Sequence, residues 1–178
     1  MIQKKICMVG AFGVGKTSLV ARFVHTKYSE KYQTTVGVKI DKKVVQHPAG
    51  DINLILWDMA GEDALTTVRP AHLKGASGYI LVMDGLRRNT LEVAIDLHGR
   101  VREVVGAVPF VCVANKADLR ETWEIQQSDL DNLVSRGWMV VETSAKTGAA
   151  VEAVFRTLTD AMMQEHHVDD STAGAVAG

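Results

Sequence analysis

Short apolar runs alternate with longer amphipathic stretches along the chain, a pattern typical of a mostly parallel sheet covered by helices. The apolar runs predict six strands, at residues 5–10, 36–46, 52–58, 78–84, 110–115 and 139–143. The turn signal "HPAGD" joins the second and third runs, so these two strands are expected to form an antiparallel hairpin.

Helical spacing of apolar residues predicts four helices, at residues 16–26, 90–105, 128–136 and 150–165. Ser128, followed by Asp129 and Asp131, is predicted to be the N-cap of the third of these helices. The segment 167–178 is small and polar and has no periodicity. We therefore expect a single domain over residues 1–166, followed by a disordered tail.

Composition narrows the possible functions of this domain. The 178 residues suffice for one domain with a sizeable core, and the net charge of −1 offers no broad basic surface for nucleic acid. Cys7 and Cys112 lie inside apolar runs, so two buried, reduced thiols in a cytoplasmic protein are expected rather than a disulfide. No apolar run reaches the ~18 residues of a membrane span. No C-terminal cysteine is present for prenylation, so we expect no lipid anchor in this chain and membrane association only through partners or through a tail that this sequence lacks.

The stretch "GAFGVGKT", residues 10–17, matches the phosphate-binding pattern G-x-x-x-x-G-K-[ST] between a predicted strand and a predicted helix. Its glycines allow backbone N–H groups to surround phosphate oxygens. Lys16 supplies a positive charge for the outer phosphates, and the Thr17 hydroxyl is a suitable ligand for Mg²⁺. A purely structural turn is the alternative interpretation. The strand and helix on either side favour a nucleotide-binding loop.

The stretch "NKAD", residues 115–118, ends the fifth apolar run, at the edge where an open α/β sheet binds its ligand. The Asp118 carboxylate can accept two hydrogen bonds from the N–H groups on one edge of guanine, a pair that adenine lacks. Lys116 can lay its stem across the base, and Asn115 can tie this loop to the phosphate loop. Alone, the stretch would be equally compatible with an Asx turn and an exposed lysine.

The stretch "ETSAKTG", residues 142–148, ends the sixth apolar run. The backbone N–H groups of Ala145 and Lys146 are predicted to reach the carbonyl oxygen of guanine. Alone, "TSAK" is also an ordinary approach to a helix. Its order after the phosphate loop and "NKAD" favours guanine as the base.

These motifs, with "TTVGV" and "WDMAG", resemble those of small GTPases of the Ras superfamily, over about residues 4–165 and most closely in the Rab branch. The resemblance implies a P-loop NTPase G domain of the α/β class. It would have a six-stranded, mostly parallel sheet with one antiparallel edge strand and five helices on both faces. It also implies GTP and GDP as ligands, one Mg²⁺ and hydrolysis of GTP to GDP and phosphate.

The resemblance assigns the remaining site residues. Thr35 would reach Mg²⁺ only when a γ-phosphate is present, Asp58 would hold Mg²⁺ through water, and the Gly61 N–H would bond the γ-phosphate. Tyr28 would lie against the guanine, with a plain surface tyrosine as the alternative. The predicted nucleotide contacts are Gly10, Ala11, Phe12, Gly13, Val14, Gly15, Lys16, Thr17, Ser18, Tyr28, Thr35, Gly61, Asn115, Lys116, Asp118, Leu119, Ser144, Ala145 and Lys146, and the predicted metal ligands are Thr17, Thr35 and Asp58.

The resemblance also implies protein partners that read the nucleotide state. Ile40 and Trp57 fall on neighbouring strands of the predicted hairpin, and we expect them to form an apolar patch for effectors in the GTP state. Core packing is the alternative role of both side chains. GTPase-activating proteins and nucleotide-exchange proteins are the other expected partner classes.

Phe12 and Glu62 depart from the family pattern. The position of Phe12 is usually small, so that an activator's arginine can approach, and that of Glu62 is usually a glutamine that orients water. With Lys16, Gly61 and Thr35, Glu62 completes the predicted catalytic set. An ionised glutamate only accepts hydrogen bonds and brings negative charge toward the phosphates, so slow hydrolysis is expected.

Three alternatives to slow, self-resetting hydrolysis stay open. Phe12 could fold away from the nucleotide, with an activator bringing its own glutamine. The chain could be a GTP-loaded interaction module with negligible hydrolysis, or, more remotely, a P-loop ATPase.

Overall fold

The sheet confirms the predicted α/β fold. The computed structural model describes residues 1–31, 34–60 and 68–173, with side chains described up to residue 165. Its six strands are β1 (Ile2–Gly10), β2 (Val38–Val45), β3 (Ile52–Met59), β4 (Gly78–Asp84), β5 (Phe110–Asn115) and β6 (Val140–Thr143), in the order β2-β3-β1-β4-β5-β6. Only β2 runs antiparallel to its neighbour, and the "HPAGD" hairpin is present.

Helices connect the strands. The described helices are α1 (Lys16–His25), α2 (Pro70–Leu73), α3 (Asn89–Val105), α4 (Gln127–Ser135), α5 (Val151–Ala173) and a 3-10 helix over Ala117–Thr122. The periodicity predicted all of these except α2 and the 3-10 helix, each of which is too short to show a helical repeat. No helix in this part of the chain combines the length and the apolar character needed to cross a membrane.

Both faces of the sheet are buried, as expected for parallel strands with helices on either side. Along β1, Ile6 and Met8 belong to one core cluster, while Cys7 and Val9 belong to the other. Successive side chains of a strand point to opposite faces, so this alternation places one core on each side of the sheet. Both cysteines are free and buried, as the sequence predicts, and burial raises the pKa of the Cys7 thiol to about 11.

The N-terminus of α4 differs from the prediction. The N-cap is Gln126, whose backbone is extended, and Ser128 lies inside the first turn, so the assignment of Ser128 as N-cap is wrong. The Asp129 carboxylate accepts a hydrogen bond of 2.9 Å from the Gln126 N–H. This contact, together with the side chain of Arg88, lowers the pKa of Asp129. The Gln126 N–H would otherwise lack an intrahelical partner. Its hydrogen bond to Asp129 outweighs the preference for serine at the N-cap, so the helix is capped by Gln126.

Two other predicted bounds shift by more than two residues, whereas the remaining bounds of the predicted elements lie within two residues of those observed. Strand β1 begins at Ile2 because it pairs with β3 from Ile2 opposite Ile52 onward. Helix α5 runs to Ala173, so the backbone of 167–173, predicted as tail, is helical. Residues 174–178 lie outside the described part, and the end of the domain at 166 stays a prediction.

Candidate functional site

A cavity of about 400 Å³ opens at the carboxyl ends of the parallel strands. Strand β1 has β3 on one side and β4 on the other, so the cavity lies where the chain changes direction across the sheet, the usual ligand position in such folds. Its volume is within the range of small-molecule sites. Fourteen predicted nucleotide contacts line it: Phe12, Gly13, Gly15, Lys16, Thr17, Ser18, Tyr28, Thr35, Asn115, Lys116, Asp118, Leu119, Ala145 and Lys146.

The phosphate loop lies between β1 and α1. Gly13 (φ 72°) and Gly15 (φ 106°) adopt backbone conformations that glycine tolerates best. A Cβ on Gly15 would lie 2.2 Å from Nδ2 of Asn115, so no larger residue fits there. The Lys16 ammonium is buried in the loop and donates to the carbonyls of Gly10 (2.8 Å) and Ala11 (2.9 Å). The loop therefore places one buried positive charge beside the cavity, as an anion site requires.

The three predicted metal ligands meet beside this loop. The Thr17 hydroxyl donates to Oδ2 of Asp58 (2.6 Å), and Thr17 Oγ1 lies 2.6 Å from the Thr35 hydroxyl. Asp58 is the next-to-last residue of β3, Thr17 lies in the first turn of α1, and Thr35 precedes β2, so three separate segments supply oxygen atoms to one point.

The Asp58 carboxylate is suited to a cation. Its Oδ1 atom is buried and has no hydrogen-bond partner among the described residues. Burial raises the pKa of Asp58, while the Thr17 hydroxyl and the Lys16 charge act against that increase. A buried carboxylate oxygen without a partner is costly unless an ion or water satisfies it. Two hydroxyls and one carboxylate are the hard oxygen donors that Mg²⁺ prefers, so the residues fit this ion.

Asn115 joins three loops at the floor of the cavity. Its Nδ2 donates to the Val14 carbonyl in the phosphate loop (3.0 Å), which is the tie that the sequence predicts. Its Oδ1 accepts from the Thr143 hydroxyl (3.1 Å) and the Ala145 N–H (3.3 Å). Because the side chain is buried, each of these partners depends on Asn115 for its hydrogen bond at this point.

The loop predicted to read the base lies at the mouth of the cavity. The Asp118 carboxylate is exposed, and its Oδ1 accepts a hydrogen bond of 2.8 Å from the hydroxyl of Ser144. Ser144 does not line the cavity and instead orients Asp118. This position leaves the Asp118 carboxylate accessible to hydrogen-bond donors on a base.

Two of the predicted nucleotide contacts at the cavity are aromatic. The side chain of Phe12 is 45% exposed and that of Tyr28 is 39% exposed, and both line the cavity. Gly10, Ala11 and Val14 are buried and are not among the residues that line the cavity. Gly61 and Glu62 lie outside the described residues.

Sequence reasoning missed three charged residues around the site. Arg22 of α1 donates to the backbone carbonyls of Ala145 (2.9 Å) and Lys146 and so holds the "TSAK" loop. Asp84 is fully buried and pairs with Lys116, and Arg87 contacts both Asp84 and the phosphate loop. None of these residues belongs to a motif with fixed spacing. The one sequence signal for any of them was Asp84, a charged residue at the end of the otherwise apolar run 78–84.

The arrangement of loops agrees with a comparison of the whole chain with known families. A model of the Ras family matches residues 5–164. The chain belongs to the Ras family. It is 32% identical to the Ras-related protein Rab-32 of Homo sapiens over 172 residues, which cover 91% of this chain and 76% of that protein. It is 33% identical to Rab-32A of Dictyostelium discoideum (90% and 78%) and 31% identical to Rab-13 of Bos taurus (86% and 77%).

These similarities identify this Ras-family protein as a Rab-like member of the superfamily and confirm the predicted resemblance. Family membership supports a guanine-nucleotide switch with GTPase activity, and effectors, activating proteins and exchange proteins as the kinds of partner. Ras-family GTPases typically use Mg²⁺, which the donor set at Asp58 suits.

Proposed function

We propose that this Rab-like protein is a GDP/GTP switch that hydrolyses GTP slowly and remains in its GTP state for long periods. The observation that carries the proposal is the position of Phe12, whose exposed side chain lines the same cavity as Lys16 and two of the predicted metal donors, Thr17 and Thr35. An aromatic ring at this position supports the proposal, because it would occupy space beside the γ-phosphate that an activator's arginine must enter.

The switching residues act through the extra phosphate of GTP. The Thr35 hydroxyl and the Gly61 N–H gain partners when a γ-phosphate is present and lose them after hydrolysis, so two segments change order together. Thr17, Thr35 and Asp58 would hold Mg²⁺. When bound, Mg²⁺ would supply positive charge to the phosphate oxygens. Lys16 contributes a second positive charge. Asp118 would select guanine by accepting hydrogen bonds from the two N–H groups on one edge of that base.

Slow hydrolysis follows from the chemistry of two side chains. Phosphoryl transfer depends on positioning and on charge stabilisation, and an external arginine can contribute ~10³–10⁵-fold to the rate. Phe12 would obstruct that arginine. Glu62, when ionised, cannot donate a hydrogen bond and adds negative charge near the phosphates, so it would position water less well than glutamine.

Single-turnover phosphate release from GTP-loaded protein tests this proposal. The wild-type rate should be at or below ~10⁻⁴ s⁻¹, and Phe12→Gly together with Glu62→Gln should raise it about tenfold or more. Glu103→Gln, on the exposed face of α3, is a matched control that should leave the rate unchanged. Wild-type hydrolysis well above this rate would refute the proposal.

A GTP-loaded interaction module is the second candidate, and the same exposed Phe12 favours it. The two are separated by denaturing the purified protein and identifying the released nucleotide. GDP indicates turnover, whereas persistent GTP indicates a module that barely hydrolyses. ATP competing equally with GTP would contradict the role assigned to Asp118 and favour the ATPase alternative.

The proposed effector patch centres on Ile40 and Trp57, which are paired across β2 and β3. Ile40 is 49% exposed, and the Lys5 ammonium lies 3.6 Å from the centroid of the Trp57 ring. Trp57→Ala should abolish capture of proteins by the GTP-loaded form and leave nucleotide affinity unchanged. Val44→Ala, at the far end of β2 from Ile40, is the control. Equal loss of capture and nucleotide affinity would instead indicate a packing role for Trp57.

A further inference from the structure

A buried carboxylate links the base-reading loop to the segment between β4 and α3. Asp84 is fully buried, and its Oδ2 accepts hydrogen bonds from the Lys116 ammonium (2.6 Å) and from Nε of Arg87 (3.1 Å). Its Oδ1 accepts from the Leu86 N–H (2.9 Å). Two cations therefore share one carboxylate, and the position of Lys116 depends on where Asp84 is held.

The same arginine reaches the phosphate loop. Nη2 of Arg87 donates to the Phe12 carbonyl at 2.7 Å, while its Nε is bonded to Asp84. A planar guanidinium presents donors in a rigid fork, so fixing one nitrogen also fixes the direction of the other. One side chain thus connects the backbone of the phosphate loop to the carboxylate that orients Lys116.

The backbone of Lys116 is constrained as well. Its φ is 74°, a left-handed conformation that is unfavourable for a lysine, and its carbonyl accepts a hydrogen bond of 2.8 Å from Nε1 of Trp123. With its ammonium on Asp84, Lys116 is held at both ends. A shift of Asp84 is therefore transmitted to the base-reading loop rather than absorbed by a loose side chain.

We propose that Arg87 is a positioning residue that couples the phosphate loop to the guanine-reading loop and slows the release of bound nucleotide. The inference rests on guanine-nucleotide binding at the cavity and is independent of slow hydrolysis. Arg87 acts through Phe12 on one side and through Asp84 and Lys116 on the other.

Dissociation of a fluorescent GDP analogue from Arg87 variants tests the coupling. Arg87→Ala should release nucleotide about tenfold faster, the change expected when a charge-assisted hydrogen bond is lost. The variant should fold, because Asp84 keeps its contact with Lys116. Arg88→Ala is the matched control, since Arg88 bonds Asp129 (2.8 Å) and contacts neither loop, and its release rate should equal that of the wild type.

Two further variants separate the bridge from a structural or purely electrostatic role. Arg87→Lys keeps the charge but cannot span both acceptors, so it should release GDP within about twofold of Arg87→Ala. In a Lys116→Ala background, Arg87→Ala should have a much smaller effect, because the route through Asp84 is already broken.

Three results would overturn the proposal. They are wild-type release from Arg87→Ala, wild-type release from Arg87→Lys, and an undiminished effect of Arg87→Ala in the Lys116→Ala background. A wild-type protein that binds no GDP would refute the nucleotide-binding function itself, which is a different outcome from any of these.

Discussion

Replacing Asn115 with alanine should weaken the fold and the nucleotide site together. The buried side chain bonds the Val14 carbonyl, the Thr143 hydroxyl and the Ala145 N–H, at 3.0, 3.1 and 3.3 Å. These partners belong to two segments, the phosphate loop and the stretch 142–148, which meet the end of β5 only through tertiary packing. Alanine keeps none of the bonds.

The expected loss can be estimated from the three bonds. Each intramolecular hydrogen bond contributes about 1 kcal/mol net, and a buried group left unsatisfied costs about 1–3 kcal/mol. The Asn115→Ala variant should therefore lose on the order of 3 kcal/mol in the free energy of unfolding. For a chain of this size, that corresponds to a decrease in Tm of roughly 6–12 °C. GDP should also dissociate faster, because Val14 lies in the phosphate loop and Ala145 is predicted to contact the base.

Thermal unfolding of the GDP-loaded protein and the GDP dissociation rate measure the two effects. Asn132→Ala is the control, because Asn132 is exposed on α4 and its side-chain oxygen accepts a hydrogen bond from Nε of the exposed Arg136 (3.0 Å). The control should change stability by less than about 0.5 kcal/mol. A loss below about 1 kcal/mol for Asn115→Ala, with unchanged GDP release, would refute the idea that this side chain ties the loops.

Two further predictions concern positions outside the phosphate loop. A Cβ on Gly85 would lie 2.0 Å from the Trp123 ring, so Gly85→Ala should destabilise by about 1–3 kcal/mol in urea unfolding. Gly99→Ala, in an open part of α3, should instead stabilise the protein by about 0.5–1 kcal/mol. If both glycine variants destabilised the protein, a steric cause for the effect at Gly85 would be contradicted. Burial and the Arg102 charge lower the pKa of His98 in the folded protein. As pH falls, the His98 imidazole is therefore protonated at a higher pH in the unfolded chain than in the folded protein. Stability should be greatest above pH ~6.5 and decrease as pH falls through the lowered pKa, and a His98→Asn variant with the same urea-unfolding pH profile would refute this assignment.

Local patterns in the sequence sufficed for the strands and for the nucleotide motifs. The runs at 78–84 and 110–115 are continuous and apolar, and their predicted bounds agree with β4 and β5 because turn residues follow directly on them. The position of the phosphate loop was equally predictable, since its glycines, lysine and threonine form one short motif, which lies between β1 and α1. The features that identify a buried strand or a phosphate loop lie in consecutive residues, so they can be recognised directly in the sequence.

The contacts that join the loops were decided only by the tertiary structure. Arg22 reaches a carbonyl of residue 145, and Arg87 reaches that of residue 12, across separations that no spacing rule covers. The cap of α4 likewise depended on which donor its carboxylate could reach in the folded chain. A single long, charged side chain has many possible partners in the unfolded chain. Which partner it meets is determined by the packing of strands and helices, because that packing fixes which donors and acceptors lie within hydrogen-bond distance of one another.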